Sequence, residues 1–227
     1  MRKRATLFLG LLTASIALTS QSTAHETWAS SVLLIQFGEG GKLDTYHPEK
    51  ISLLSAIDSS GKDINVKGKA IGDASLIVKH PDSEKPAAVF YTIAYDPYII
   101  KGEEWIKSTH EEIHGAEKTW QGSYTSTSLF TWTDALKENR ERLIEIVPQT
   151  NPLILKEGEI LPLIIYYNGK PLSGATVYLD EETTVKSDEA GEVKCPVSGK
   201  RQIIICSYSE ENGQHTVFHG AALSFNL

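Results

Sequence analysis

The sequence predicts an all-β protein made of two antiparallel β-sandwich modules of immunoglobulin-like type, joined by an irregular connector. Two observations predict it. Short runs rich in β-branched and aromatic residues recur along the chain, each closed by a cluster of Gly, Pro, Asn, Asp or Ser. After Leu143 about seven such runs fall within roughly 85 residues, the density of an immunoglobulin-like sandwich. No full-length repeat and no low-complexity segment interrupts the pattern.

Residues 1–24 read as an export signal. Arg2, Lys3 and Arg4 form a basic start, Ala5 to Leu18 an apolar run, and Ser22 and Ala24 supply the small residues that a signal peptidase needs three places and one place before the cut. The run is too short to span a bilayer, and no later stretch approaches eighteen apolar residues, so no membrane span is expected in the mature chain. No cysteine stands at the cleavage point to take a lipid. The expected destination is the periplasm or the medium. Cleavage after Ala24 removes three positive charges and no acid, which takes the net charge from −7 to −10. Such a surface repels nucleic acid and attracts cations.

Residues 25–97 form the expected N-terminal module. Its strands are Val32 to Phe37, Ile51 to Ile57, Ser75 to Val78 and Ala87 to Tyr95, stopped by Gly38-Glu39-Gly40-Gly41, Asp58-Ser59-Ser60-Gly61, His80-Pro81-Asp82 and Asp96-Pro97. Residues 98–142 are the connector, with few β-branched runs, many charges and three of the four tryptophans (Trp105, Trp120, Trp132), which are expected to be buried. Thr133 to Asn139 has room for a turn or two of helix. Residues 143–227 form the C-terminal module. Leu143 to Val147, Leu161 to Tyr167, Ala175 to Leu179 and Thr216 to Asn226 are strands, with turns at Lys156-Glu157-Gly158-Glu159, Asn168-Gly169-Lys170-Pro171 and Ser187-Asp188-Glu189-Ala190-Gly191.

Glu192 to Val197 and Gln202 to Tyr208 read as a hairpin around Ser198-Gly199-Lys200-Arg201. In that pairing Cys195 and Cys206 face each other, and an oxidising compartment would join them as a cross-strand disulfide. If the strands pair out of register, the two remain buried thiols.

The chemistry concentrates on histidines. Cleavage after Ala24 makes His25 the first residue of Ala24-His25-Glu26-Thr27-Trp28, where its α-amine and imidazole Nδ1 chelate one metal ion. The amine, with a pKa of about 7.7–8.0, gives up its proton to a metal at neutral pH far more readily than a lysine does. His219 and His215 lie four apart on the last strand and are expected on one face. His47, in Asp44-Thr45-Tyr46-His47-Pro48, sits at the mouth of a strand. These three are the expected further ligands, and His80 is expected to be solvated. His110-Glu111-Glu112-Ile113-His114 matches the H-E-x-x-H zinc-peptidase motif, which works only on a helix. Its surroundings argue against one: Lys107-Ser108-Thr109 is polar and Gly115 follows at once. No phosphate loop, nucleophile elbow or basic aromatic patch is present. Asp180-Glu181-Glu182 reads as a solvated turn.

Gly169-Lys170-Pro171-Leu172-Ser173-Gly174-Ala175-Thr176-Val177, followed by Ser187-Asp188-Glu189-Ala190-Gly191, resembles the pattern of carboxypeptidase-regulatory-like β-sandwiches. Leu143-Ile144-Glu145-Ile146-Val147-Pro148, Asn151-Pro152, Gly158-Glu159-Ile160-Leu161-Pro162, the Ala-His-x-x-Trp start and Ala221-Ala222-Leu223-Ser224-Phe225 are similar to an exported bacterial family of unknown function. That family is described as related to the substrate-specific component of nickel-uptake systems. The resemblance implies a periplasmic protein that handles nickel or cobalt. With no span after the leader, a soluble carrier or uptake accessory fits better than a permease subunit.

Three functions are thus expected. The first is non-enzymatic binding of a divalent transition metal (nickel or cobalt, then copper or zinc) by His25 with His219, His47 or His215, in the service of an uptake transporter. The second is a metal-free interaction module of the cell envelope. The third is a zinc hydrolase built on His110, Glu111 and His114.

Overall fold

A computed structural model describes residues 26–30, 33–39, 42–43, 47–71, 76–179, 183–199 and 201–227. The leader, His25 and Asp180-Glu181-Glu182 lie outside the described residues. The described chain is all β, with four short 3-10 helices as its only helical turns. Its strands are β1 (Glu26–Ala29), β2 (Leu34–Glu39), β3 (Lys42–Leu43), β4 (Ile51–Ile57), β5 (Asp63–Ile64), β6 (Lys67–Ala70), β7 (Leu76–Lys79), β8 (Ala88–Ala94), β9 (Tyr98–Lys101) and β10 (Glu104–Lys107). They continue with β11 (Thr119–Leu129), β12 (Ile144–Pro148), β13 (Ile160–Tyr167), β14 (Lys170–Pro171), β15 (Thr176–Tyr178), β16 (Thr184–Lys186), β17 (Glu192–Pro196), β18 (Arg201–Asn212) and β19 (His215–Asn226).

These strands form three sheets. The largest runs β16-β15-β18-β19-β11-β8-β4-β5, with the β9–β10 hairpin attached through β9 to β11. A second runs β1-β2-β7-β6 with β3 beside β2, and the third joins β12, β14 and β17 around β13.

The large sheet is covered on both faces, and the sequence of β8 shows why. Along Ala88-Val89-Phe90-Tyr91-Thr92-Ile93, alternate side chains must face opposite sides. Ala88 and Phe90 join the core shared with Ile144, Ile146, Leu161, Leu163 and Ile165 of the third sheet. Val89, Tyr91 and Ile93 join the core shared with Ala29, Ile35, Leu76 and Val78 of the second. A strand buried on both faces reads as a continuous apolar run, whereas β13, with one face outward, alternates buried and partly exposed residues. The hairpin between β13 and β14 turns on Asn168 (φ 49°) and Gly169 (φ 72°), the two positive φ values of a tight two-residue turn.

Within 98–142, expected as an irregular connector, the chain forms β9, β10 and β11. The eleven residues of β11 lie between β8 and β19, antiparallel to the first and parallel to the second over Thr119–Ser128 against His215–Ser224. This strand is Thr-Trp-Gln-Gly-Ser-Tyr-Thr-Ser-Thr-Ser-Leu, so it has no apolar alternation to betray it. Its small hydroxyl residues fill the centre of a sheet packed on both sides, with Thr125, Ser126 and Ser128 buried. Of the connector tryptophans expected to be buried, Trp105 is 55% exposed.

The cysteine hairpin does not form. Cys195 pairs with Leu161 in the third sheet, while Cys206 pairs with Val177 and Ala221 in the large one, so the chain crosses from one layer to the other between β17 and β18. The crossing is fixed by the buried Gln202, whose Oε1 accepts from the Ser198 N–H at 2.6 Å, and by Val197, whose N–H donates to Glu159 O at 3.0 Å. Facing sheets stand about 10 Å apart, against the roughly 4.4–6.8 Å between Cα atoms that a disulfide requires. Both cysteines are buried free thiols. Burial pushes the Cys195 thiol up to about 11 and the Cys206 thiol up to about 12. A thiol reagent should therefore ignore the native protein and count two thiols per chain after denaturation without reductant. A count of zero would restore the disulfide.

Candidate functional site

The strand that follows His25 is built into the fold. In β1, Glu26 pairs with Gly38, Thr27 with Phe37, Trp28 with Gln36 and Ala29 with Ile35. The Ala29 N–H donates to Ser128 Oγ at 2.8 Å, and Ser128 Oγ also accepts from Ser224 Oγ at 2.9 Å. Besides its partner β2, β1 therefore contacts β11 and β19 of the large sheet. Ser128 and Ser224 lie on the face of the large sheet opposite to that of Ala221, Leu223 and Phe225.

The described histidines are scattered. His47 is exposed, with Nδ1 3.5 Å from Glu49 Oε1. His80 is half-buried, its Nδ1 2.8 Å from Pro81 O. His215 is exposed, with Nδ1 2.9 Å from Thr119 Oγ1. As the spacing predicts, His215 and His219 share a face of β19, but four residues of strand separate them by about 13 Å, too far to share an ion. That face also looks away from Ser128 and Ser224, the contacts of β1.

The H-E-x-x-H segment lies in a turn and a one-turn 3-10 helix, Glu112–Gly115. Three residues per turn do not stack positions four apart. His110 and His114 are exposed, and the Glu112 carboxylate caps the turn instead, accepting from Ser108 Oγ at 2.8 Å and the Thr109 N–H at 2.9 Å. The segment is a surface turn anchored by the buried Ile113. Among the described residues, no three His, Cys, Asp or Glu side chains gather closely enough to hold a metal.

The densest chemistry surrounds His219, where residues of other types join it. β18 and β19 pair Tyr208 with His219, and their rings stack at 6.3 Å between centroids and 19° between planes. From the facing sheet, Tyr167 at the end of β13 lays its ring 5.1 Å from that of His219 and 5.3 Å from that of Tyr208. The Tyr167 hydroxyl donates to Glu210 Oε1 and lies 3.3 Å from His219 Nε2. His219 Nε2 is in turn 3.8 Å from Glu210 Oε1. His219 is only 5% exposed, and its Nδ1 has no hydrogen-bond partner. Burial lowers the His219 pKa against the opposing pull of Glu210, so the ring is neutral at pH 7. Burial, reinforced by Glu210, pushes the Tyr167 hydroxyl up to about 12.

Sequence reasoning found His219 and missed Tyr167, Tyr208 and Glu210. Only the alternation Tyr208, Glu210 on one strand face could have flagged them, since Tyr167 arrives from another sheet. On the far side of the large sheet lies an aromatic group in which Trp120 is the hub, 5.9 Å from Tyr95 and Phe218, 6.0 Å from Tyr98 and 6.1 Å from Trp105.

These features define a layered all-β sandwich protein with a cluster of Tyr167, Tyr208, Glu210 and His219 between its large and third sheets. Residues 16–205 match the family model described as Domain of unknown function (DUF4198), and the chain belongs to that family. No curated protein and no solved structure matches it. Among the described residues no helix is long and apolar enough to cross a membrane.

Proposed function

We propose that this is an exported, non-enzymatic transition-metal-binding protein whose metal is chelated by the α-amine and the Nδ1 of His25 once the leader is removed. The observation that carries the reading is the register of β1. From Glu26 to Ala29 the chain beside the expected cleavage point pairs with β2, so the residues downstream of His25 belong to a sheet. The likeness to the nickel-uptake family favours nickel or cobalt, with copper and zinc the alternatives for an amine and imidazole donor set. His47 keeps an exposed ring that can complete the sphere. The negative charge of the mature chain attracts the cation. The periplasm, an uptake transporter as recipient and a carboxypeptidase-regulatory-like C-terminal sandwich belong to the same reading.

Calorimetry with nickel, cobalt, copper and zinc on protein that begins at His25 tests it. One ion per chain is expected. A methionine placed before His25 should weaken binding by at least roughly tenfold, or 1.4 kcal/mol. Unchanged binding would remove His25 from the site.

A second reading, an envelope interaction module with no metal, draws on the β9–β10 hairpin. There Trp105 and Ile106 are 55% and 40% exposed. A co-purifying envelope partner lost on Trp105→Ala, together with no stoichiometric metal, would favour it.

A further inference from the structure

We propose that Tyr167, Glu210 and His219 form a second metal site, for a hard trivalent cation of the ferric class, separate from the His25 terminus. The inference stands on the geometry of the cluster and does not depend on the reading of His25.

Three donor atoms of different chemistry converge: a phenol oxygen, a carboxylate oxygen and an imidazole nitrogen. His219 Nε2 stands 3.3 Å from Tyr167 Oη and 3.8 Å from Glu210 Oε1. Both separations exceed the roughly 2.7–3.2 Å of good hydrogen bonds, so the buried imidazole is poorly served by these neighbours. They are close to the spacing of donors that share one ion, since ligands about 2.1 Å from a metal stand roughly 3.0–3.4 Å apart. The third edge, Tyr167 to Glu210, is closed by the phenol proton. An ion that takes the place of this proton lets the two oxygens separate onto its own coordination sphere. His219 is more than nine-tenths buried with Nδ1 unpartnered, a polar group held in the interior without compensation on that side. Ligation at Nε2 replaces the two long contacts of that nitrogen with one strong bond, while Nδ1 stays unpartnered.

The class of ion follows from the donors. To bind through its oxygen, Tyr167 must release its phenol proton to solvent. A trivalent ion displaces that proton most readily, and phenolate and carboxylate are hard donors that suit it. Glu210 is half exposed, so water can reach the ion and fill the remaining positions. The stacked ring of Tyr208 shields one side and holds the imidazole plane.

Ferric nitrilotriacetate added to protein carrying a methionine before His25 tests the site with the terminus blocked. The expected result is one iron per chain after desalting, with a visible phenolate-to-iron charge-transfer band. Tyr167→Phe keeps the ring and should abolish the band. Glu210→Gln and His219→Gln should weaken iron binding by more than the roughly tenfold that loss of an outer contact costs. Tyr208→Phe should keep band and stoichiometry. No iron and no band with folded protein would overturn the proposal, as would a band that survives Tyr167→Phe. Loss of metal at His25 alone leaves these outcomes unaltered, so the two sites fail separately.

Discussion

Replacing Arg142 by methionine is expected to lower the unfolding free energy by about 3 kcal/mol, within the range for breaking a buried, hydrogen-bonded charge. The part-buried Arg142 side chain reaches the backbone of the large sheet. Nη2 donates to Tyr91 O at 2.5 Å and to Thr92 Oγ1 at 3.4 Å, and Nη1 to Ser126 O at 3.1 Å. Tyr91 and Ser126 face each other across β8 and β11, so this side chain clamps the central pair of strands. Burial lowers its pKa to about 10, which still leaves it charged at neutral pH. Nearby, the buried Glu145 takes the Arg140 N–H at 2.8 Å; burial raises its pKa, and both arginines oppose that rise. Methionine keeps apolar bulk beside Phe90 and removes every donor. The double change Arg142→Met with Glu145→Gln should recover part of the loss, because it no longer strands a buried carboxylate. Urea unfolding of the four proteins measures both effects. Equal midpoints for the wild type and Arg142→Met would dismiss the clamp.

Gly220→Ala is expected to cost a further amount of similar size, about 3 kcal/mol, by overpacking. Gly220 sits on β19 opposite Tyr124 of β11 and Ser207 of β18. A methyl group there would overlap the Tyr124 ring. That ring has little room to withdraw, being 1% exposed and set edge-on to Tyr95 at 6.4 Å and beside Phe218 at 6.1 Å. At roughly 2–4 °C per kcal/mol for a chain of this size, the midpoint should fall by about 6–12 °C. Trimming the obstacle in Gly220→Ala with Tyr124→Ala should make the second substitution cheaper than it is alone. Strict additivity in thermal melts would show that the ring is not what excludes the methyl group.

The parts of the fold legible in the sequence are those where one face of a strand meets solvent. In β13 the alternation of buried and exposed residues and the Asn168-Gly169 turn announced both the strand and its hairpin. β11 was illegible because a strand covered on both sides is free to carry small residues of any kind, and Ser and Thr look like loop. The Cys195 and Cys206 strands were legible as strands but not as partners. An apolar alternation records which face is buried and not which sheet supplies the neighbour. The same limit applies to function. His219 could be singled out by type, whereas Tyr167 and Glu210 reach it from β13 and β18 with no spacing to reveal them. His25 rests on chemistry visible only in the sequence, at a peptide bond that must first be cut.

The most direct test of that chemistry compares three termini of the same mature protein: one beginning at His25, one with methionine before His25, and one beginning at Glu26. Titrated with nickel and with copper under identical conditions, only the first should bind an ion tightly at one per chain with release of the amine proton. Equal affinity in all three would contradict the account and place the metal, if any, elsewhere in the molecule.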